Sequence, residues 1–158
     1  MKADFFAVDQ EARAKLRAAC DSWLGTPFRE RSKVKGPLGG VDCVGFVACV
    51  FREIGAISED LKVPAYDINH AEHSTKSVLL DWLAQDSART IRARVRRLDE
   101  AEPPLDGDLV FPKVGLTEHH LGIAVGQLVY HVIRPTGVCH QTFGQLRLSP
   151  FRHRLLTP

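Results

Sequence analysis

No stretch of the chain approaches the roughly 20 consecutive apolar residues of a membrane-spanning helix, so no membrane span is expected. The opening Met1-Lys2-Ala3-Asp4-Phe5-Phe6-Ala7-Val8-Asp9 holds two acids and lacks the apolar core of a secretory signal. Synthesis in the cytoplasm without a signal peptide is therefore expected. Charge of one sign is also lacking: 21 Lys and Arg stand against 19 Asp and Glu, a net +2 too small to argue for nucleic acid by itself. Cysteine spacing lacks pattern. Cys20, Cys43, Cys49 and Cys139 form no Cys-x-x-Cys, and Cys43 and Cys49 would lie along one helix where a disulfide fits poorly. All four read as reduced thiols, and no cofactor is called for. Repeats and low-complexity linkers are absent, and 158 residues suit a single domain over 1–158 with a sizeable core.

What is present divides into helical and strand-like halves. Residues 9–24 read as a helix, with Asp9 as N-cap, an apolar stripe at Leu16, Ala19, Cys20 and Trp23, and Gly25 and Pro27 as stop signals. Residues 28–40 read as a loop bearing Arg29, Arg31, Lys33 and Lys35. These charges describe either a solvated loop or a rim that attracts carboxylates. A second helix begins at Cys43, with Val47, Val50, Phe51 and Ile54 at helical spacing and Gly55 as its cap. Residues 56–73 look irregular. Ser74 can cap a third helix with Val78, Leu79, Trp82 and Leu83 on one face. His70 and His73 lack a matching acid or cysteine and read as a surface pair.

From Thr90 the period becomes two. Ile91, Ala93 and Val95 alternate with Arg92, Arg94 and Arg96, as on a half-exposed strand. This basic ladder lacks the interleaved aromatics of a nucleic-acid groove. Asp106-Gly107 signals a turn before a strand at 108–111. Residues 120–126 and 128–133 form a hairpin about Gly126-Gln127, a further strand runs over 138–142, and the basic segment 152–156 closes the sheet. Helices first and antiparallel strands second make an α+β fold, with helices packed on a small sheet.

The stretch Gly39-Gly40-Val41-Asp42-Cys43-Val44-Gly45 carries the chemistry. A Gly-rich loop delivers Cys43 to the first turn of an apolar helix. There, unpaired backbone N–H groups and the helix dipole favour a thiolate and lower cysteine pKa values to roughly 3.5–7.5. A small buried apolar cysteine is the alternative. Thiol acyl transfer needs a base and a group that fixes the base's tautomer. His120 at the start of one hairpin strand and His131 on the other can supply both, His131 holding one ring nitrogen of His120 while the second serves Cys43. A cysteine at a helix start facing a strand histidine is the papain-like arrangement.

Taken in order, Trp23-Leu24-Gly25-Thr26-Pro27-Phe28, Gly40-Val41-Asp42-Cys43-Val44-Gly45-Phe46, Gly107-Asp108-Leu109-Val110-Phe111, His120-Leu121-Gly122-Ile123-Ala124-Val125-Gly126 and Tyr130-His131 resemble the successive motifs of the NlpC family of papain-like cell-wall peptidases. The likeness spans residues 12–156. It is strongest to the short, stand-alone branch of phage tail modules and gene-transfer agents, which shares a Val-Lys-Gly segment such as Val34-Lys35-Gly36. The resemblance implies Cys43 as nucleophile, His120 as general base and His131 as the residue orienting it. It implies hydrolysis of an amide bond in peptidoglycan stem peptides, commonly the one between D-Glu and a diamino acid. It places Asp42 in the substrate groove, toward the stem peptide's amino group, and gives the basic loop with Arg29 a task against substrate carboxylates. The route to the wall is then a phage-tail-like particle, a secretion machine or lysis, with tail proteins as partners.

Two positions depart from the family pattern. Relatives usually carry Tyr where this chain has Phe28, so one candidate oxyanion donor is missing, a loss that can cost about 10²–10³ in rate. Many have Ser where this chain has Val44, which bears on recognition of a free amino terminus. Three other readings stand beside the peptidase. One is a zinc hydrolase on Cys43, His120 and His131, for which no carboxylate at helical spacing speaks. Another is a catalytically weak or inactive tail assembly component with the same fold. The third is an amidase or acyltransferase using the same Cys-His pair.

Overall fold

The computed structural model describes residues 1–61, 94–113, 120–150 and 152–158. The expected third helix, the His70/His73 pair and the start of the arginine ladder lie outside the described residues. The chain opens with a short helix α1 (Phe5–Val8), which the sequence pattern does not announce; its Phe5 and Phe6 are buried. Helix α2 (Gln10–Asp21) follows, and Asp9 caps it by accepting the Ala12 N–H at 2.9 Å. Its buried face is Ala12, Leu16 and Cys20. The loop expected at 28–40 contains two very short antiparallel strands, β1 (Lys33–Val34) and β2 (Gly40–Val41).

Helix α3 (Cys43–Glu53) is the central element. Eight of its residues, Cys43 to Ala48 with Val50 and Phe51, are buried, so it is a core helix wrapped on nearly all sides. Its valines are indifferent helix formers, and tertiary burial rather than propensity holds it. The Asp42 side chain starts the helix by accepting the Gly45 N–H at 2.7 Å. Glycine eases that contact, since a Cβ at position 45 would sit 3.0 Å from Asp42 Oδ1. Gly55, at φ +74°, ends the helix in the left-handed conformation expected of it.

A six-stranded antiparallel sheet packs against these helices in the order β3-β8-β4-β5-β6-β7. Its strands are β3 (Val95–Arg97), β4 (Leu109–Val110), β5 (Gly122–Val125), β6 (Leu128–Ile133), β7 (Gly137–Thr142) and β8 (His153–Leu155). The mixed helix and antiparallel-sheet class is as the sequence indicates. The C-terminal segment joins the sheet as a strand, as expected, and its place is internal: β8 pairs β3 through Val95↔Leu155 and β4 through Leu109↔His153. The two described arginines of the ladder, Arg94 and Arg96, are used internally. Arg96 bonds Asp4 at 2.8 Å and Glu102 at 2.8 Å, and Arg94 donates to the Leu156 and Ala56 carbonyls. No helix among the described residues is long and apolar enough to cross a membrane.

Candidate active site

The site is assembled from the start of α3 and from the hairpin β5–β6. Cys43 is the first residue of α3 and has no exposed surface. His120 lies two residues before β5, slightly outside the strand expected to begin with it. Hairpin register pairs Ile123 with Tyr130, so one further step sets His131 opposite Gly122, diagonally from His120. The two imidazoles meet there. His120 Nε2 is 3.0 Å from His131 Nδ1, with the rings edge to face at 64°. This contact leaves Nδ1 as the remaining ring nitrogen of His120. On its far side, His131 Nε2 is 2.8 Å from Oε1 of Gln141 on β7.

Electrostatics at Cys43 run against the simple helix-terminus expectation. Burial pushes the thiol up, and the neighbouring Asp42 charge pushes it further. Backbone N–H groups of Leu121, Val44 and Cys43 itself pull the other way and do not prevail. Leu121 follows His120 directly, so the segment that carries the histidine also delivers an N–H toward the sulfur. His120 moves in the opposite sense. Burial, then the nearby His131, push it down to about 3. Burial also lowers His131, against the bond to Gln141, which favours its protonated form. Burial thus disfavours the charged forms of the thiol and of both imidazoles.

The other residues singled out in the sequence surround this centre unevenly. Asp42 is 5 % exposed, and both carboxylate oxygens accept backbone hydrogen bonds, Oδ1 from Gly45 and Oδ2 from Arg31 at 2.8 Å. Arg31 adopts φ +58° in doing so, a conformation uncommon for a side-chain-bearing residue. Val44 is buried in the core. Phe28 is half-buried, bridges to Val41, and carries the Arg134 guanidinium 4.9 Å over its ring. Arg29 is exposed, its alkyl stem lying against Gly40. Lys35 is held by Glu53 at 3.2 Å and lies over the Trp23 ring, while Arg29, Arg31 and Lys33 remain exposed. Among the described residues, no group of three His, Cys, Asp or Glu side chains is placed to hold a metal ion.

The sequence reading does not single out Gln141. The only available signal is register: β7 pairs Cys139 with His131, which sets Gln141 two residues on, diagonal to His131.

No known family model matches the sequence, and no curated protein matches it. Among solved structures, the P60 domain of an antigen from M. avium paratuberculosis is similar over 90% of this chain and 92% of that chain, at 15% sequence identity and a TM-score of 0.49. Residue roles do not transfer at this identity.

Proposed function

We propose that this protein is a cysteine peptidase that hydrolyses an amide bond in peptidoglycan stem peptides, of the D-Glu–diamino acid type. The observation that carries the reading is the buried His120–His131 pair, joined to the start of the Cys43 helix by the Leu121 N–H, which follows His120 and reaches the Cys43 sulfur. The order of motifs resembling the NlpC family supports the substrate class. In this reading Cys43 Sγ attacks the scissile carbonyl carbon as its proton passes to His120 Nδ1. The oxyanion forms near the Cys43 backbone N–H. Collapse breaks the C–N bond, and His120 returns the proton to the leaving amine. Water, deprotonated by His120, then hydrolyses the thioester and frees the thiol. Because burial disfavours both charged forms, this reading has proton transfer accompany attack instead of preceding it. In this reading the exposed Arg29, Arg31 and Lys33 serve the carboxylates of the stem peptide, while the buried Asp42 and Val44 act by shaping the start of the Cys43 helix.

Delivery by a phage-tail-like or secretion apparatus belongs to the same proposal and rests on the Val34-Lys35-Gly36 and Gly40-Val41-Asp42-Cys43 likeness. Absence of tail or secretion genes next to its own would overturn it. A second reading has a specific observation behind it. Complete burial of Cys43, together with Phe28 in place of a hydroxyl donor, favours a weakly active or inactive tail assembly component. Digestion of defined muropeptides by wild type and Cys43→Ala, read by mass spectrometry, separates the two. The peptidase reading expects a new amino terminus at the diamino acid with wild type alone. Product that persists with Cys43→Ala overturns the thiol mechanism. No product from any stem peptide, with a thiol inert to iodoacetamide, supports the assembly component.

A further inference from the structure

The chain of contacts through the two histidines does not end at His131. Its Nε2 lies 2.8 Å from Oε1 of Gln141, a residue presented by β7, the edge strand of the sheet. An amide oxygen only accepts hydrogen bonds, so His131 must carry its proton on Nε2. A neutral imidazole has a single N–H, which leaves His131 Nδ1 as an acceptor. That atom faces His120 Nε2 at 3.0 Å, so His120 in turn carries its proton on Nε2. Its Nδ1 is then a bare lone pair. The logic holds only while both rings are neutral, and burial of His120 at 4 % and His131 at 2 % exposure disfavours the charged forms.

We propose that Gln141 is a positioning residue that sets the tautomer of both histidines, keeping Nδ1 of His120 free to take the Cys43 proton. The inference rests on the peptidase reading for what that lone pair does, and on hydrogen-bond geometry alone for the tautomers. The opposite orientation of the Gln141 amide would invert the chain. Its NH₂ would donate to His131 Nε2, His131 Nδ1–H would donate to His120 Nε2, and His120 would hold its proton on Nδ1, where it cannot accept one. A single amide rotation therefore separates a competent base from an incompetent one. Leu in its place removes the acceptor, whereas Glu retains it.

The test is the imidazole ¹⁵N spectrum of the full chain with labelled histidine at neutral pH, with signals assigned by His120→Asn and His131→Asn. The expected wild-type result is Nε2–H on both rings. A wild-type spectrum with Nδ1–H on His120 overturns the proposal, whether or not any variant folds. Gln141→Leu is expected to give mixed tautomers and to slow stem-peptide cleavage by at least about tenfold, within the range of base catalysis. Gln141→Glu is expected to restore the Nε2–H tautomer and most of the rate. Unchanged tautomers and rate in a folded Gln141→Leu protein overturn the role of Gln141 and leave the peptidase reading intact. The expected tautomers and their loss in Gln141→Leu, without cleavage of any stem peptide, overturn the peptidase reading and leave the tautomer assignment standing.

Discussion

Nε2 of His120 lies 3.0 Å from Nδ1 of His131, and both rings are almost wholly buried. A pair so placed cannot hold two positive charges, and burial disfavours even one. His120 is accordingly pushed from 6.5 down to about 3. Its folded pKa lies below its unfolded value, so between these values the unfolded chain binds the extra proton. Stability is then fully present above pH 6.5 and is lost as pH falls toward 3, by on the order of 1 kcal/mol per pH unit inside that window. Urea denaturation at a series of pH values should show this slope in wild type and a shallower one in His120→Asn. Equal slopes would mean that His120 titrates normally.

The Cys43 thiol should behave as a buried neutral group. Burial and then the Asp42 charge raise it, while the N–H groups of Leu121, Val44 and Cys43 oppose them. Alkylation of Cys43 by iodoacetamide is therefore expected to accelerate steadily from neutral to alkaline pH. A rate already at plateau near pH 7 would reveal a preformed thiolate and imidazolium. Mass mapping is needed to separate Cys43 from Cys49 and Cys139, which are less buried.

Asp42 has two effects that a substitution can pull apart. Its carboxylate caps α3 through Gly45 and holds the Arg31 N–H, and its charge opposes ionisation of Cys43. Asp42→Asn keeps one accepting oxygen and removes the charge. Stability should fall by about 1–2 kcal/mol, because one buried N–H loses its acceptor. Alkylation of Cys43 at fixed pH should become faster in the same variant. Slower alkylation would show that Asp42 acts chiefly by placing the sulfur.

Much of this arrangement is legible in local sequence. The helix at Cys43 is announced by Asp42 before it, its apolar spacing and Gly55 after it. The hairpin is announced by two apolar runs about Gly126-Gln127, and the meeting of His120 with His131 follows from its register. What stays hidden is non-local. Nothing in the composition of residues 152–156 says that β8 inserts between β3 and β4, because strand order depends on partners more than 40 residues away. Helix α1 is a single turn held by burial of Phe5 and Phe6, too short for periodicity to show. Gln141 reads as an ordinary polar residue of an alternating strand, and only its diagonal offset from His131 marks it. The thiol is misjudged for a related reason. A helix terminus is visible in sequence, but the depth at which it is buried is not, and at Cys43 depth outweighs the dipole.

The buried ion pair of Asp108 and Arg154 ties this inserted strand to the site's scaffold. Arg154 Nε donates to Asp108 Oδ1 at 2.6 Å and its Nη2 to Oδ2 at 2.9 Å, with both side chains buried. The Asp108 carbonyl also accepts the Ala124 N–H of β5, the strand that follows His120. Asp108→Asn leaves the buried Arg154 with Asp4, 3.1 Å from its Nη1, as the remaining close carboxylate and should cost about 1.5–3 kcal/mol in chemical denaturation. Asp106→Asn, at a more exposed pair with Arg13 on the same turn, should cost under about 1 kcal/mol. Comparable losses in the two variants would mean that burial does not set the strength of these pairs.

Phe28 offers the most direct test of how the proposed oxyanion is stabilised. It bridges to Val41, two residues before Cys43, and its ring lies under Arg134. In the family this chain resembles, a tyrosine hydroxyl at this position points toward the nucleophile. Phe28→Tyr restores a donor while leaving the half-buried ring its packing. If the backbone N–H at Cys43 works alone, an added donor should raise kcat for a defined stem peptide by up to about a hundredfold, with little change in KM because the bond strengthens only as charge develops on oxygen. Arg134→Ala in the same background separates this from an effect on ring position. If the gain comes from the hydroxyl, it should persist without the guanidinium. An unchanged kcat in Phe28→Tyr would show that the backbone donors around Cys43 already suffice, and that the departure at Phe28 is catalytically silent.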